Sequence, residues 1–330
     1  MPKEPVIIAG LLAWLGISIT ASLSIGSQVL SPAALPGLLR SYGDLDSVDA
    51  ALLSLRLPRT MIGILSGMAL GVSGALLQSL TRNPLADPGV LGINAGALLA
   101  MTLGAGFLGL ADWHAYAAFA FAGAMLAALF VHGIGFAGPS FLIPLRLTLA
   151  GVAMNAVLGG LATAILLLDP ERFDRMRGWA TGALAVADST VPTAITPFVL
   201  AGLGLAFISV RALNALALGD ALAAAMGVRL YHVRLVGGLA ATLLAGAATA
   251  GAGPIAFLGL MVPHIVRPLA GADERRVLLY TLLAAPSLLL VADTVGRVIL
   301  SPAEMPAGIV MALIGAPVFI ATLRRAGTFS

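Results

Sequence analysis

The sequence has no cysteine, a single lysine (Lys3), and charge on only 10% of its 330 residues. Without cysteine there are no disulfides, no thiolate metal sites and no cysteine nucleophiles. A phosphate-binding loop of the G-x-x-x-x-G-K-[ST] form needs a lysine behind its glycines. Lys3 has no glycine before it, so the chain is not by itself a conventional P-loop ATPase. Aromatic residues make up 6% and the basic residues are scattered, which argues against a nucleic-acid partner, since a basic patch or an aromatic-rich RNA motif is missing. A soluble domain carries charge on about a quarter of its residues. Here 59% of residues are hydrophobic and mean hydropathy is +1.03, so the composition is that of a polytopic protein of the lipid bilayer.

At about 20 apolar residues per span, ten spans use roughly 200 residues and leave about 130, too few for a separate soluble domain. Residues 1–330 are therefore expected to form a single transmembrane domain. The charged residues separate ten apolar runs, at 5–25, 57–80, 91–110, 115–133, 147–168, 191–210, 235–252, 255–270, 277–296 and 307–323. The seventh and eighth are joined only by Gly253-Pro254, so one of them is expected to be short, tilted or broken. The first run follows Met-Pro-Lys-Glu and is long for a signal-peptide core, so it is read as a span.

Positively charged residues concentrate on the cytoplasmic side of membrane proteins. With a cytoplasmic N-terminus and ten spans, Lys3, Arg82, Arg146, Arg211, Arg229, Arg234, Arg267, Arg275, Arg276, Arg324 and Arg325 fall inside, and the other seven of the 18 basic residues fall outside. Both termini are then cytoplasmic.

The chain has 39 glycines, which lets helices approach closely where packing rather than hydrophobic exclusion holds them together. Gly63, Gly67 and Gly71, with Gly74 nearby, form a stripe on the second span that reads first as a packing seam. The same span carries Ser66, Ser73 and Gln78. Polar groups in lipid face protein or water, so these residues, with Asn155 on the fifth span, are candidates for lining a pathway. A faint inverted repeat relates Arg56-Leu57-Pro58-Arg59 and Asn83-Pro84 to Arg229-Leu230-Tyr231-His232 and Gly253-Pro254.

Two features ask for more than span construction. Arg56 and Arg59 stand at the outer, N-terminal end of the second span, where the helix dipole already disfavours cations. Either an acidic group meets them or they reach to lipid headgroups. The segment 212–228 is too interrupted to span, and it reads as two short helices, 212–218 and 220–226, broken at Gly219 and ended at Gly227. Leu213, Leu216 and Leu222 would leave an apolar face in the cytosol, suited to a soluble partner or to the bilayer surface. His264 has no metal or nucleophile motif beside it and reads as structural. Asp293 and Arg297, four apart, form a favourable helical pair.

At this level of detail the chain resembles the FecCD-type permeases, membrane subunits of ABC importers for ferric siderophores, haem and cobalamin. The resemblance rests on Arg56-Leu-Pro-Arg-Thr60, TRNPLADPGVLGINAGA at 81–97, RLTLAGVAM at 146–154, LNALALGDALAAAMGV at 213–228, GPIAFLGLMVPHIVR at 253–267, LLVADTVGRVI at 289–299 and PAGIVMALIGAPVF at 306–319. It covers residue 56 to the C-terminus. The 81–97 run, DPERFDRMRGWATGAL at 169–184 and the Gly271-Ala-Asp273 turn look most like the ferric-enterobactin branch.

The resemblance implies an all-α, type II ABC importer permease fold of about ten helices in the bacterial inner membrane. It implies that Arg56, Arg59 and Arg297 receive a periplasmic binding protein, and that the coupling segment, with Leu213, Leu216, Gly219, Asp220, Leu222 and Gly227, docks on an ATPase. Asn83 and Leu85 match a cytoplasmic gate. The implied partners are two ATPase subunits, the binding protein and a second permease subunit, either a paralogue or another copy. The chain itself binds no cofactor or metal and performs no catalysis, since ATP and Mg belong to the ATPase. The expected cargo is a ferric siderophore of catecholate type; the alternatives are haem or cobalamin, or an ion-coupled secondary transporter.

Overall fold

The structure, a computed structural model, describes residues 4–26, 28–40, 47–108, 112–138, 142–168, 177–185, 190–301 and 303–326. Every regular element among the described residues is helical. The α-helices are α1 (Glu4–Ser24), α2 (Leu35–Arg40), α3 (Val48–Thr81), α4 (Ile93–Phe107), α5 (Trp113–Phe136), α6 (Ile143–Leu168), α7 (Thr190–Ala217), α8 (Asp220–Ala225), α9 (Leu230–Ala252), α10 (Leu258–Ala270), α11 (Glu274–Ile299) and α12 (Ala307–Ala326), with a 3-10 turn at Pro88–Leu91.

Each of the ten expected spans coincides with a helix. Seven of them, α1, α3, α5, α6, α7, α9 and α11, are long and apolar enough to cross a membrane, whereas α4, α10 and α12 are shorter apolar helices. The break between the seventh and eighth spans lies where Gly253-Pro254 placed it. Gly253 ends α9 with φ 74°, residues 253–257 are not helical, and Phe257 takes φ 66° before α10 begins. The 13 residues of α10 extend about 20 Å, short of a hydrocarbon core of about 30 Å. Non-helical backbone at that depth has to be enclosed by protein. Gly253 meets that need, because a Cβ there would lie 2.0 Å from the carbonyl oxygen of Trp179.

The centre of the bundle is α3, packed along α7, α9, α10 and α11. The glycine stripe is its contact seam. A Cβ on Gly67 would come within 2.4 Å of Pro286 Cα, one on Gly71 within 2.5 Å of Ala285 Cβ, and one on Gly74 within 1.9 Å of the Gly259 carbonyl oxygen. Backbone therefore touches backbone across α3, α10 and α11. The faint repeat has a structural counterpart: α3 and α9 are each followed by a stretch outside the α-helices and then by a short helix, α4 or α10. The contacts are reciprocal, since Gln78 of α3 donates to the Leu260 carbonyl of α10 at 3.1 Å and Thr249 of α9 donates to Asn94 of α4 at 3.1 Å.

Two expected boundaries need correction. The second span was placed at 57–80, but α3 begins at Val48, capped by Ser47, whose hydroxyl accepts from the Ala50 N–H at 3.1 Å. Segment 48–56 carries charge and was therefore missed by an apolar count. The separate short helix expected at 212–218 is instead the last turns of α7, which runs unbroken to Ala217.

Candidate functional site

The functional candidates gather at the two ends of α3. At the Arg59 end, Arg56 and Arg297 turn inward onto the last turn of α1. Arg56 donates to the carbonyls of Leu23 at 2.9 Å, Ser24 at 3.0 Å and Gln28 at 2.5 Å. Arg297 donates to the Ser22 and Ile25 carbonyls at 2.9 and 3.0 Å and to the Ser22 hydroxyl at 3.1 Å. The final carbonyls of a helix have no partner within it and carry the negative end of its dipole, so two guanidinium groups satisfy both needs. This revises the reason expected for these arginines. Arg56 and Arg59 lie in the third and fourth turns of α3, beyond the reach of its own N-terminal dipole, and Arg56 is held by the C-terminus of α1.

An acidic group does meet Arg59, and it belongs to the same chain. Arg59 Nε and Nη2 lie 2.9 and 2.8 Å from the two carboxylate oxygens of Asp293, and Nη1 lies 2.6 Å from Glu304. Asp293 also pairs with Arg297 at 3.2 Å, the four-residue spacing read from the sequence. Two of the arginines, Arg59 and Arg297, thus share one fully buried carboxylate. Among these five charged side chains only Glu304 is exposed. It borders an open cavity of about 590 Å3 lined also by Arg177, Thr181 and Ile309. Glu304 was not picked out from the sequence. It lies 245 residues from its partner, and no spacing pattern links the two.

At the Arg82 end, Asn83 and Leu85 are exposed, and the Asn83 side chain accepts from the Leu85 N–H at 2.9 Å, which fixes a tight turn. Both line a small cavity with Leu77, Asp87 and Leu147. Burial pushes the Asp87 carboxyl up to about 6, although the Gly89 N–H donates to it at 2.8 Å and opposes the shift.

The candidate coupling residues divide into two groups. Leu213 and Leu216 are buried within the chain, which overturns the expectation that they share an open face with Leu222. They sit on the inner side of a continuous α7, covered by the bundle. The exposed apolar residues are Leu218, Leu222 and Met226. Gly219 at φ 106° and Gly227 at φ 83° bracket α8, and Asp220 begins it.

Of the candidate pathway residues, Ser66 and Ser73 have no exposed surface and lie in helix packing rather than on an open wall; Ser73 donates to the Ala241 carbonyl at 2.8 Å. Gln78 borders a cavity of about 260 Å3 with Ser79, Arg82, Arg267 and Glu274. Arg267 and Ser79 both bind the Glu274 carboxylate there, at 2.9 and 2.7 Å. Asn155 donates to the Gly89 carbonyl at 2.8 Å and ties α6 to the 3-10 turn.

The FecCD transport family model matches residues 14–325. The chain is 49% identical over 321 residues to the ferric enterobactin transport system permease protein FepD of Escherichia coli K12, covering 96% of this chain and 95% of that protein. It is 40% identical to the Fe(3+)-citrate import system permease protein YfmD of Bacillus subtilis 168, over 82% of this chain and 80% of that one. A solved inward-facing conformation of a metal-chelate type ABC transporter superposes with a TM-score of 0.81 at 27% identity, over 97% of this chain and 99% of that one.

Proposed function

The chain belongs to the FecCD transport family, and from that premise we propose that it is the membrane-spanning permease subunit of an ABC importer for a ferric siderophore of catecholate type. The observation that carries this reading is the 49% identity with a ferric enterobactin permease across nearly the whole of both chains. On this reading residues 1–330 act as one permease domain and form half of a two-subunit pore in the bacterial inner membrane. The other half is a paralogous permease, and both termini are cytoplasmic. The chain is a pore and not an enzyme, since ATP and Mg are handled by two separate ATPase subunits.

The geometry suggests how such a subunit works. The Arg59 end faces outward and receives the loaded binding protein. Because Arg56 and Arg297 are occupied by α1, the group available for docking is the Arg59–Glu304 pair at the rim, held in place by Asp293, which Arg297 also pairs. The Arg82 end faces the cytosol. There α8 offers Leu222, flanked by Leu218 and Met226, to an apolar groove on the ATPase, the way a short helix docks on a partner. Closure of the ATPases on ATP moves α8, and the turn at Asn83 and Leu85 opens or shuts the pathway in alternating access.

Uptake of a radiolabelled ferric catecholate into proteoliposomes containing the assembled complex tests the reading. Accumulation that requires both enclosed ATP and added binding protein is expected. Accumulation driven by an ion gradient without ATP would replace the reading with a secondary transporter.

A further inference from the structure

A single carboxylate links α8 to two other helices. Asp220, the first residue of α8, accepts from Arg234 Nη2 through Oδ2 at 2.7 Å, and its Oδ1 lies 3.3 Å from Arg82 Nη2. Arg234 sits in the second turn of α9 and is buried, whereas Arg82 is about half exposed. Arg82 is also the residue that ends α3, in the left-handed conformation at φ 50° and ψ 34°, which residues with a Cβ seldom adopt. The chain passes directly from it into Asn83 and Leu85. Asp220 therefore joins α8, the start of α9 and the turn at the end of α3.

A helix of six residues has little capacity to hold its own position. Its buried side rests on Ala223, while Leu222 and Met226 face away from the bundle. Apolar contact can slide, whereas the hydrogen bond to Arg234 holds the Asp220 carboxylate in one direction and so fixes where its other oxygen meets the charge of Arg82.

We infer that Asp220 is a positioning residue that makes the turn at Arg82, Asn83 and Leu85 follow the movement of α8, an inference that rests on the reading of α8 as the ATPase contact. Arg82 is the receiving end and Arg234 the fixed anchor.

A double-mutant cycle in the reconstituted complex tests this, with cargo transported per ATP hydrolysed as the readout. Arg82→Gln changes a half-exposed side chain and leaves the Arg234 pair intact, so the ATPase should stay bound while transport per ATP falls at least about fivefold, the low end of coupling between sites. Asp220→Asn should give a similar loss, Arg82→Gln should add nothing in the Asp220→Asn background, and Asp220→Glu should retain coupling. Unchanged transport per ATP in Arg82→Gln, or an equal loss from Arg82→Gln in both backgrounds, would overturn the inference.

If Asp220→Asn does not fold, a spin-label distance between cysteines introduced at Leu85 and Ala224 decides it. Arg82→Gln should broaden that distance in the isolated chain, and an unaltered distribution counts against the inference. A parent complex without ATP-driven uptake would reject the proposed function; the distance measurement would still judge the link itself.

Discussion

Arg59 of α3 grips Asp293 of α11 through two of its nitrogens, across 234 residues of sequence, and the carboxylate it holds has no exposed surface. Removing one partner of a buried pair leaves the other charge stranded, at a cost of about 3–5 kcal/mol. Asp293→Asn is therefore expected to lower the thermal unfolding midpoint strongly, since Arg297 loses its acid and Arg59 keeps only the exposed Glu304. Glu304→Gln, at the exposed end of the same cluster, should cost about 1 kcal/mol or less. A ranking in which Glu304→Gln is the more damaging would contradict the geometry. The pair of melting curves in detergent checks this.

The docking role can be separated from the structural one. Glu304→Gln leaves the Arg59–Asp293 pair in place and removes an exposed acid from the rim. Binding-protein-stimulated ATP hydrolysis should hold or rise in this variant and become more sensitive to salt, because rim charges act chiefly on association and salt screens them. In Arg59→Glu stimulation should disappear. Stimulation retained in Arg59→Glu would remove this end of α3 from docking.

Leu222 and Leu216 make a second contrast. Leu222→Asp places a charge on the exposed side of α8, so the ATPase should detach while the permease remains folded and monodisperse. Leu216→Asp buries an unpaired charge in the bundle, so the permease itself should fail to accumulate. Copurification together with size-exclusion profiles distinguishes the outcomes, and a stable complex carrying Leu222→Asp would mean that the ATPase docks elsewhere.

Asp87 gives a pH dependence of definite sign. Its carboxyl is raised from 3.8 to about 6, so the stability it contributes is fully present below about 3.8 and is lost as pH rises through about 6. The melting temperature of the parent should fall between pH 5 and pH 7 relative to that of Asp87→Asn, which keeps a side-chain oxygen for the Gly89 N–H. Parallel curves for the two proteins across that range would count against the shift.

Gly74→Ala should destabilise by about 3 kcal/mol, the upper end of the usual cost of overpacking, since the added carbon meets a backbone carbonyl that cannot move aside. Gly10→Ala on α1, with nothing within 4 Å, should be silent. Thermal unfolding of the two variants side by side checks the seam.

Much of this architecture can be read from residue order alone. Apolar runs separated by charge mark the spans, except that the seventh and eighth are parted only by Gly253-Pro254, and the glycines at 63, 67, 71 and 74 mark the seam. Other features depend on which surfaces meet. That Leu213 and Leu216 are covered while Leu222 is open follows from how α7 lies on the bundle, and all three look alike in a helical pattern. Arg56 and Arg297 are occupied by backbone carbonyls, which every residue has, so nothing in the sequence singles out Leu23 or Ser22 as their partners. The sequence leaves Arg59 to meet either an acid or lipid headgroups. That the acids are Asp293 and Glu304 is a matter of folding, because interactions over such separations leave no local pattern.

The length of α3 has one more consequence. Its 34 residues make a rod of about 51 Å, gripped at mid-length where glycine backbones press on α10 and α11. A rod held near its middle can rock but not slide, so a tilt of about 5° would swing each tip by about 2 Å in opposite directions, within the range of shifts seen in switching helices. Arg82 stands just past one tip, and Arg59, in the fourth turn, lies about 17 Å in from the other. The helix would thus work as a seesaw, and a push on one face of the membrane would be felt on the other with its sign reversed.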